Sequence, residues 1–283
     1  MGTILKIRLF MGLLVFACSS CEIFEFRGFF LSYESADERF SQSMTWNMFN
    51  PFHEIVVDDD DYLIYVMADS HVGGTYNLSY FFRDAISNNA VAAVMAGDLT
   101  TGHSADYNIF YDALPDRGVL PTFAIAGNHD IYFDGWNLFH SLFGTSTYLF
   151  LVKTPGGTDL YICLDTAGGT LGKLQYEWLV KILKNERHKH RRCIVFTHNN
   201  ILQFRKIATT TPNLEEMYAL NELFIVQQVD MVISGHDHQK DYREFGNTMY
   251  VSLDALVDGY KFAGFMKLFV ADGRISFEHF NFP

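Results

Sequence analysis

Five short clusters along this chain carry side chains that bind metal ions: Asp69-Ser70-His71, Gly97-Asp98, Gly127-Asn128-His129-Asp130, Thr197-His198 and Gly235-His236-Asp237-His238. Imidazole, carboxylate and amide oxygen in this mixture suit a first-row transition metal better than the all-oxygen shell that calcium or magnesium prefers. The histidines suffice for two ions. If Asp69 and Asp98 are the only anionic ligands, two divalent ions and one bridging hydroxide leave a net charge of about +1, which attracts an anion, and phosphate fits. A single D-x-H or G-D carries no weight, because short motifs recur by chance. Five in series point to hydrolysis assisted by metal ions.

Each cluster directly follows an apolar run, at 62–68, 91–96, 121–126, 193–196 and 229–233, short and rich in Val, Ile and aromatic residues as buried strands are. The clusters are therefore expected at strand C-terminal ends, which in an open α/β sheet converge on one crevice. Helices are expected over 35–48, 76–88, 105–114, 172–186 and 214–228. The fourth of these puts Leu174, Trp178, Leu179, Ile182 and Leu183 on one face. After His238, runs at 248–253, 264–270 and 274–280, joined by tight turns such as Asp272-Gly273, suggest an antiparallel second sheet. The 283 residues, 49% hydrophobic, can bury one large core. No repeat and no Gly, Pro or Ser-rich linker divides them, so a single domain is expected over 53–283, with a lead-in segment over 21–52 that packs on it through Phe24, Phe26, Phe29, Phe30 and Trp46.

The series D-x-H, G-D, G-N-H-D, H and G-H-x-H resembles the signature of the calcineurin-like metallophosphoesterases, over roughly residues 61–240. That resemblance implies an α/β fold of two packed mixed β-sheets flanked by helices in four layers. It also implies hydrolysis of phosphate mono- or diesters with two divalent or mixed-valence transition ions, Mn, Fe or Zn. Carried over position by position, it makes Asp69, His71, Asp98 and His238 the first ion's ligands, and Asp98, Asn128, His198 and His236 the second's, with Asp98 bridging. His129 is then free to protonate the leaving alkoxide, and Asp130 to accept a hydrogen bond from His129 and hold its tautomer. A second stretch, Leu164-Asp165-Thr166 followed by Gln175, Trp178 and Leu179, resembles the cyclic-nucleotide-phosphodiesterase-like branch. Two departures stand out: Asn199-Asn200-Ile201 follows His198 where that branch often has a proline, and Asp237 occupies a position often held by a small or hydroxyl residue.

The N-terminus has its own logic. Lys6 and Arg8 precede an apolar stretch over 9–17, which meets Cys18-Ser19-Ser20-Cys21, the order of a secretory signal. The stretch is shorter than the roughly 20 residues that cross a bilayer as a helix. It resembles a bacterial lipoprotein leader over 1–20, with Cys21, or else Cys18, as the lipid attachment site. An exported, membrane-anchored envelope protein is the expectation, and an ordinary cleaved signal the alternative. Loss of Lys6 and Arg8 leaves 19 basic against 33 acidic residues, a formal −14, which disfavours long nucleic acids as partners. Of the basic residues, the run 187–192 falls at a helix C-terminus and complements its dipole. The acidic run 58–61 lacks the spacing of a calcium loop and reads as a solvated start to a strand.

Cys163 and Cys193 lie in apolar runs and read as buried thiols. His53, His103, His140, His188, His190 and His279 read as surface or loop residues, with His103 the strongest exception because it follows the Gly97-Asp98 loop. The aromatic segment 131–158 either roofs the site or belongs to the core. Three functions remain: a phosphoesterase for a small phosphorylated substrate, a non-catalytic module that binds a phosphorylated ligand, and a nuclease. The intact His129-Asp130 pair favours the first and the charge disfavours the last.

Overall fold

The computed structural model describes residues 33–50, 54–202, 213–271 and 273–283. Twelve strands form two mixed sheets among them. The first runs in the order β1 (Glu54–Val56), β5 (Tyr148–Thr154), β6 (Gly157–Cys163), β7 (Arg192–Thr197), β8 (Met231–Ser234), β10 (Thr248–Ser252), β9 (Asp241–Phe245). The second runs β12 (Arg274–Asn281), β11 (Gly264–Ala271), β2 (Tyr62–Met67), β3 (Ala92–Ala96), β4 (Thr122–Ile125). The helices are α1 (Ala36–Phe49), α2 (Tyr76–Ser87), α3 (Ser104–Asp112), α4 (Gly135–Phe143), α5 (Gly172–Glu186) and α6 (Leu214–Val226).

Three apolar layers hold this together, and side-chain alternation assigns the strand residues among them. Ile64, Val66, Val94, Phe123 and Ile125 of the second sheet meet Phe150, Val152, Tyr161, Ile194, Phe196 and Ile233 of the first. Tyr65, Met67, Ala93 and Met95 face outward, under Leu78, Phe81 and Phe82 of α2, Tyr107 and Phe110 of α3, and Trp136 and Phe139 of α4. On the far side Leu160, Ile162 and Val195 pack under Leu179 and Leu183 of α5 and Leu220 and Phe224 of α6. The four-layer arrangement follows, and so does the continuous apolar character of β2, β3, β4, β7 and β8: each is covered on both faces.

The C-terminal strands do not form a sheet of their own, contrary to the expectation from their turns. β10 pairs in parallel with β8 and antiparallel with β9, whereas β11 pairs antiparallel with both β2 and β12. Burial explains the division: Tyr250, Val251 and Ser252 are all buried, which demands a strand between neighbours, while β12 alternates between exposed and half-buried residues as an edge strand does. β1 is only three residues long and β9 is exposed over four of its five residues, so neither has the apolar length of the central strands. The aromatic segment 131–158 is chiefly core: it supplies α4 and β5, and Phe150 stacks between Phe123 at 3.9 Å and Tyr161 at 4.6 Å.

At the end of the strands remote from the clusters, Asp159 is fully buried and accepts from Tyr62 Oη at 2.7 Å and Arg191 Nη2 at 2.7 Å. Arg191 also meets Asp60 at 2.8 Å, and Asp60 accepts from Thr154 Oγ1 and Gly156 N. One member of the acidic run and one of the basic run thus pin the β5–β6 turn, while the acidic run itself stays exposed as a solvated start to β2. Arg187 likewise holds Asp230 at 2.9 Å. Cys163 and Cys193 are free and buried; burial pushes both thiols up to about 12. The leader, Cys18, Cys21 and His53 lie outside the described residues. Among the described residues no helix is long and apolar enough to cross a membrane.

α1 begins with a capping box, Ser35 with Glu38. The helix then buries Arg39, whose Nε and Nη2 grip both oxygens of Asp165 at 2.8 and 3.1 Å. Phe40 meets Trp178 at 6.1 Å, and Trp136 Nε1 donates to Gln42. Removing the guanidinium would strand a buried carboxylate. Arg39→Ala is therefore expected to destabilise the fold by about 3–5 kcal/mol, seen as a lower urea midpoint at unchanged slope; a wild-type midpoint would show that α1 is not coupled to the core.

Candidate metal centre

The five clusters lie at the C-terminal ends of β2, β3, β4, β7 and β8, so that both sheets feed one site. Backbone geometry there is unusual. Asp69, His71, Asp98, His236 and His238 all take left-handed φ values, 55°, 39°, 51°, 71° and 50°. Non-glycine residues enter that region at a cost of roughly 1–2 kcal/mol each. The sharp turns bring side chains from the sheet ends inward and let backbones interlock. Asp69 N donates to Gly97 O at 2.9 Å, His71 N to Asp98 O at 3.0 Å and Ser70 Oγ to Leu99 O at 2.8 Å. All three motif glycines are steric requirements: a Cβ on Gly127 would strike Asp98 N. A Cβ on Gly97, itself at φ 88°, would lie 2.5 Å from His198 Nδ1, and one on Gly235 would lie 2.5 Å from Asp69 Oδ2.

Two ligand groups result, one of Asp69, His71, Asp98 and His238, the other of Asp98, His198 and His236, with Asp98 in both. Within the first, His71 Nε2 lies 3.2 Å from His238 Nε2, which lies 3.3 Å from Asp69 Oδ1. His71 Nε2 to Asp98 Oδ2 is 3.7 Å. Within the second, His198 Nε2 is 3.3 Å from Asp98 Oδ2, 3.3 Å from His236 Nδ1 and 3.2 Å from Asn128 Oδ1. Metal bonds of about 2.0–2.2 Å place neighbouring donors about 3.0–3.5 Å apart. The donor set and its spacing fit a pair of transition ions.

Tautomers and amide orientation agree. His198 Nδ1 must donate to Ala96 O, 3.0 Å away, because a carbonyl only accepts, and this leaves Nε2 aimed at the ligand group. Asn128 Nδ2 donates to Tyr132 Oη at 3.2 Å, which turns Oδ1 inward. Electrostatics point the same way. Asp69 and Asp98 are buried, which opposes their charge, but the His238 and His198 imidazoles beside them reverse this and hold both carboxyls down, Asp98 the more strongly. Burial also opposes charge on His198, yet Asp98 raises it to about 10. Burial lowers His71 and His236 to about 4, leaving them neutral with free lone pairs. Against the effect of burial, Asp69 likewise raises His238.

His129 is buried next to this group. Its backbone N–H donates to Asp98 Oδ1 at 2.8 Å and its ring centroid lies 4.5 Å from that of His71. Asp130 requires a correction. It was expected to orient the His129 imidazole, but its carboxylate accepts from Gly127 N, Leu99 N, Thr100 N and Thr100 Oγ1 at 2.9–3.1 Å. Four donors occupy it, and none is His129. Asp130 instead clamps the loop after β3 to the loop after β4, with its own carbonyl held by Tyr107 Oη. Burial, and then Asp98, push it up to about 7 against the pull of those N–H groups. A buried acid four donors deep is a folding device, and adjacency in sequence disguised it.

Other residues of the site had weaker signals. Thr166 Oγ1 accepts from His198 N and Asn199 N at 2.9 and 3.0 Å, so the Leu164-Asp165-Thr166 stretch positions the fourth cluster. Gln175 Nε2 donates to Asp165 O and Asp165 N to Gln175 Oε1, which ties that stretch to α5. The two departures from the branch pattern are partners: Asn200 Nδ2 donates to Asp237 Oδ2 at 2.8 Å. His103 stays exposed but stacks on Phe133 at 4.2 Å. The cavity of about 300 Å³ lined by Trp46, Tyr111, Arg117 and Phe143 contains none of the cluster residues.

Residues 62–240 match the family model described as calcineurin-like phosphoesterase. The chain belongs to the calcineurin-like phosphoesterase family. No curated protein matches it. Among solved structures, it is similar to the anchor in the inner membrane complex of Plasmodium, with TM-score 0.60 and 12% identity over 78% of this chain and 84% of that one. It is also similar to a dimetal phosphatase from Danio rerio, with TM-score 0.59 and 13% identity over 78% of this chain and 96% of that one. At such identities the likeness is one of fold.

The clamp makes a quantitative expectation. Asp130→Ala leaves three buried N–H groups and a hydroxyl without their acceptor, and is expected to destabilise the protein by about 3–5 kcal/mol, whereas Thr100→Val, which removes one of the four bonds, costs about 1–2 kcal/mol. Thermal unfolding of both variants checks this. Equal and small shifts would mean that Asp130 does not hold the two loops together.

Proposed function

We propose that this family member hydrolyses phosphate mono- or diesters of a small substrate, with two transition ions of the manganese, iron or zinc type held by Asp69, His71, Asp98, His238 and by Asp98, Asn128, His198, His236. The observation that carries the reading is the convergence of two ligand groups on one shared carboxylate, with an imidazole outside both groups in ring contact with one of them. When bound, such a pair of ions activates water and neutralises phosphoryl charge.

The chain's own residues do the rest. Asp98 is fixed between the groups by the His129 N–H, so both are held at constant separation. Asn128 contributes a neutral oxygen and keeps the site's net charge positive toward an anion. His129, not needed as a ligand, holds a proton on an imidazole nitrogen for the departing ester oxygen. Asp130 acts on His129 indirectly, through the loop that carries both. The acidic surface, −12 overall, favours a small phosphorylated compound over a polynucleotide.

The test is turnover of the manganese-loaded protein on an aryl monoester, an aryl diester and cyclic nucleotides in parallel. Removal of metal by a chelator is expected to abolish turnover and to lower the thermal midpoint, since ions that bind only the folded state stabilise it. His129→Ala is expected to retain two ions per chain and to lose activity by about 10²–10⁴-fold, most severely on alkyl esters with poor leaving groups. Wild-type rates of this variant on an alkyl ester would remove the acid role. Metal binding without turnover on any ester would leave a phospholigand-binding module.

Export and lipid anchoring at Cys21, or Cys18, is a separate proposal motivated by the leader pattern over 1–21. In a bacterial host, the Cys18→Ser, Cys21→Ser double variant is expected to leave the membrane fraction for the soluble one. Retention in membranes would rule out the anchor.

A further inference from the structure

Between β10 and β11 the chain exposes Tyr260-Lys261-Phe262, to which the motifs assign nothing. Tyr260 is 39% and Phe262 55% exposed. Exposed rings on a loose loop would carry little meaning, but this connection is anchored to the site. Leu256 N donates to Ala68 O and Asp69 O at 3.0 and 3.1 Å. Asp258 accepts from Tyr76 N at 2.9 Å and Asn77 N at 2.8 Å, capping α2 where Thr75 makes no side-chain cap. Asn77 Nδ2 returns bonds to Leu256 O and Val257 O at 3.1 Å, and Ala263 N closes a turn onto Tyr260 O. The segment that carries the rings is therefore fastened to the residues around the first cluster.

The rings themselves continue the site. From His129 to His71 the centroids are 4.5 Å apart, from His71 to His238 5.1 Å, from His238 to Tyr260 6.4 Å and from Tyr260 to Phe262 6.1 Å. Tyr260 Oη also reaches His238 O at 3.4 Å. An unbroken row of ring contacts thus leads from the proton-donor candidate, past the first ligand group, to two aromatic faces at the surface. Lys261 Nζ sits 5.2 Å from the Phe262 ring and adds positive charge there. Aromatic faces one and two ring contacts away from the proposed phosphate site match an aryl group attached to that phosphate, since ring stacking adds to the area buried.

We propose that Tyr260 and Phe262 are specificity-determining residues that bind an aryl substituent on the phosphoester, an inference that rests on the phosphoester reading above. The probes are phenylphosphonate and methylphosphonate, titrated calorimetrically into the full manganese-loaded protein, so that binding is read without turnover. The phenyl compound is expected to bind about tenfold more tightly. Tyr260→Ala and Phe262→Ala should each bring the ratio toward one while leaving methylphosphonate affinity and metal content unchanged, and Tyr260→Phe should preserve the preference because the ring remains. Equal binding of the two phosphonates by the wild type, or a preference undisturbed by both alanine variants, overturns the inference and leaves the phosphoester reading standing. Failure of both phosphonates to bind the loaded wild type overturns both readings.

Discussion

Two carboxylates, Asp69 and Asp98, are buried at one point where the two sheets open, and much of the surrounding structure follows from the need to compensate them. A buried carboxylate survives only when paired and hydrogen-bonded. Asp69 receives His236 N on both oxygens at 3.1 and 2.9 Å, and Asp98 receives His129 N. Positive charge comes from imidazoles or from metal. Since Asp98 belongs to both ligand groups, displacing it would open both at once, and the loops around it are correspondingly interlocked.

That interlocking has a conformational cost. Five cluster residues accept left-handed backbone, and glycines stand where a side chain would strike a ligand. Strain of this kind persists only where surrounding structure over-determines it. Here the determinants are identifiable: the Asp130 clamp between the loops after β3 and β4, Thr166 beneath His198, and the backbone bonds that continue the β2–β3 pairing into the first two clusters. They hold the donors near metal-ligand spacing.

The same clamps show why some of the site was legible in the sequence and some was not. Motif carboxylates and histidines are read directly because what they offer is local: a donor atom that binds metal. Adjacency to His129 suggests a partner for Asp130, while three of its four donors lie thirty residues away on Leu99 and Thr100. Asn200 and Asp237 looked like two independent departures and are one hydrogen bond. Tyr260 carries no motif at all, and its place beside His238 exists only because Leu256 and Asp258 fasten the chain to the first cluster and α2.

By itself the sequence determined the covered strands, the helices with a clear apolar face, the order of the five clusters and the kind of metal they suit, because periodicity and donor chemistry act over a few residues. Tertiary structure alone decided that β10 joins the first sheet while β11 and β12 join the second, that Arg39 of the lead-in helix is held by Asp165, and that Asp130 clamps the loops after β3 and β4 together. Each of these depends on burial and distance between residues far apart in the chain, and spacing along a sequence carries no information about either.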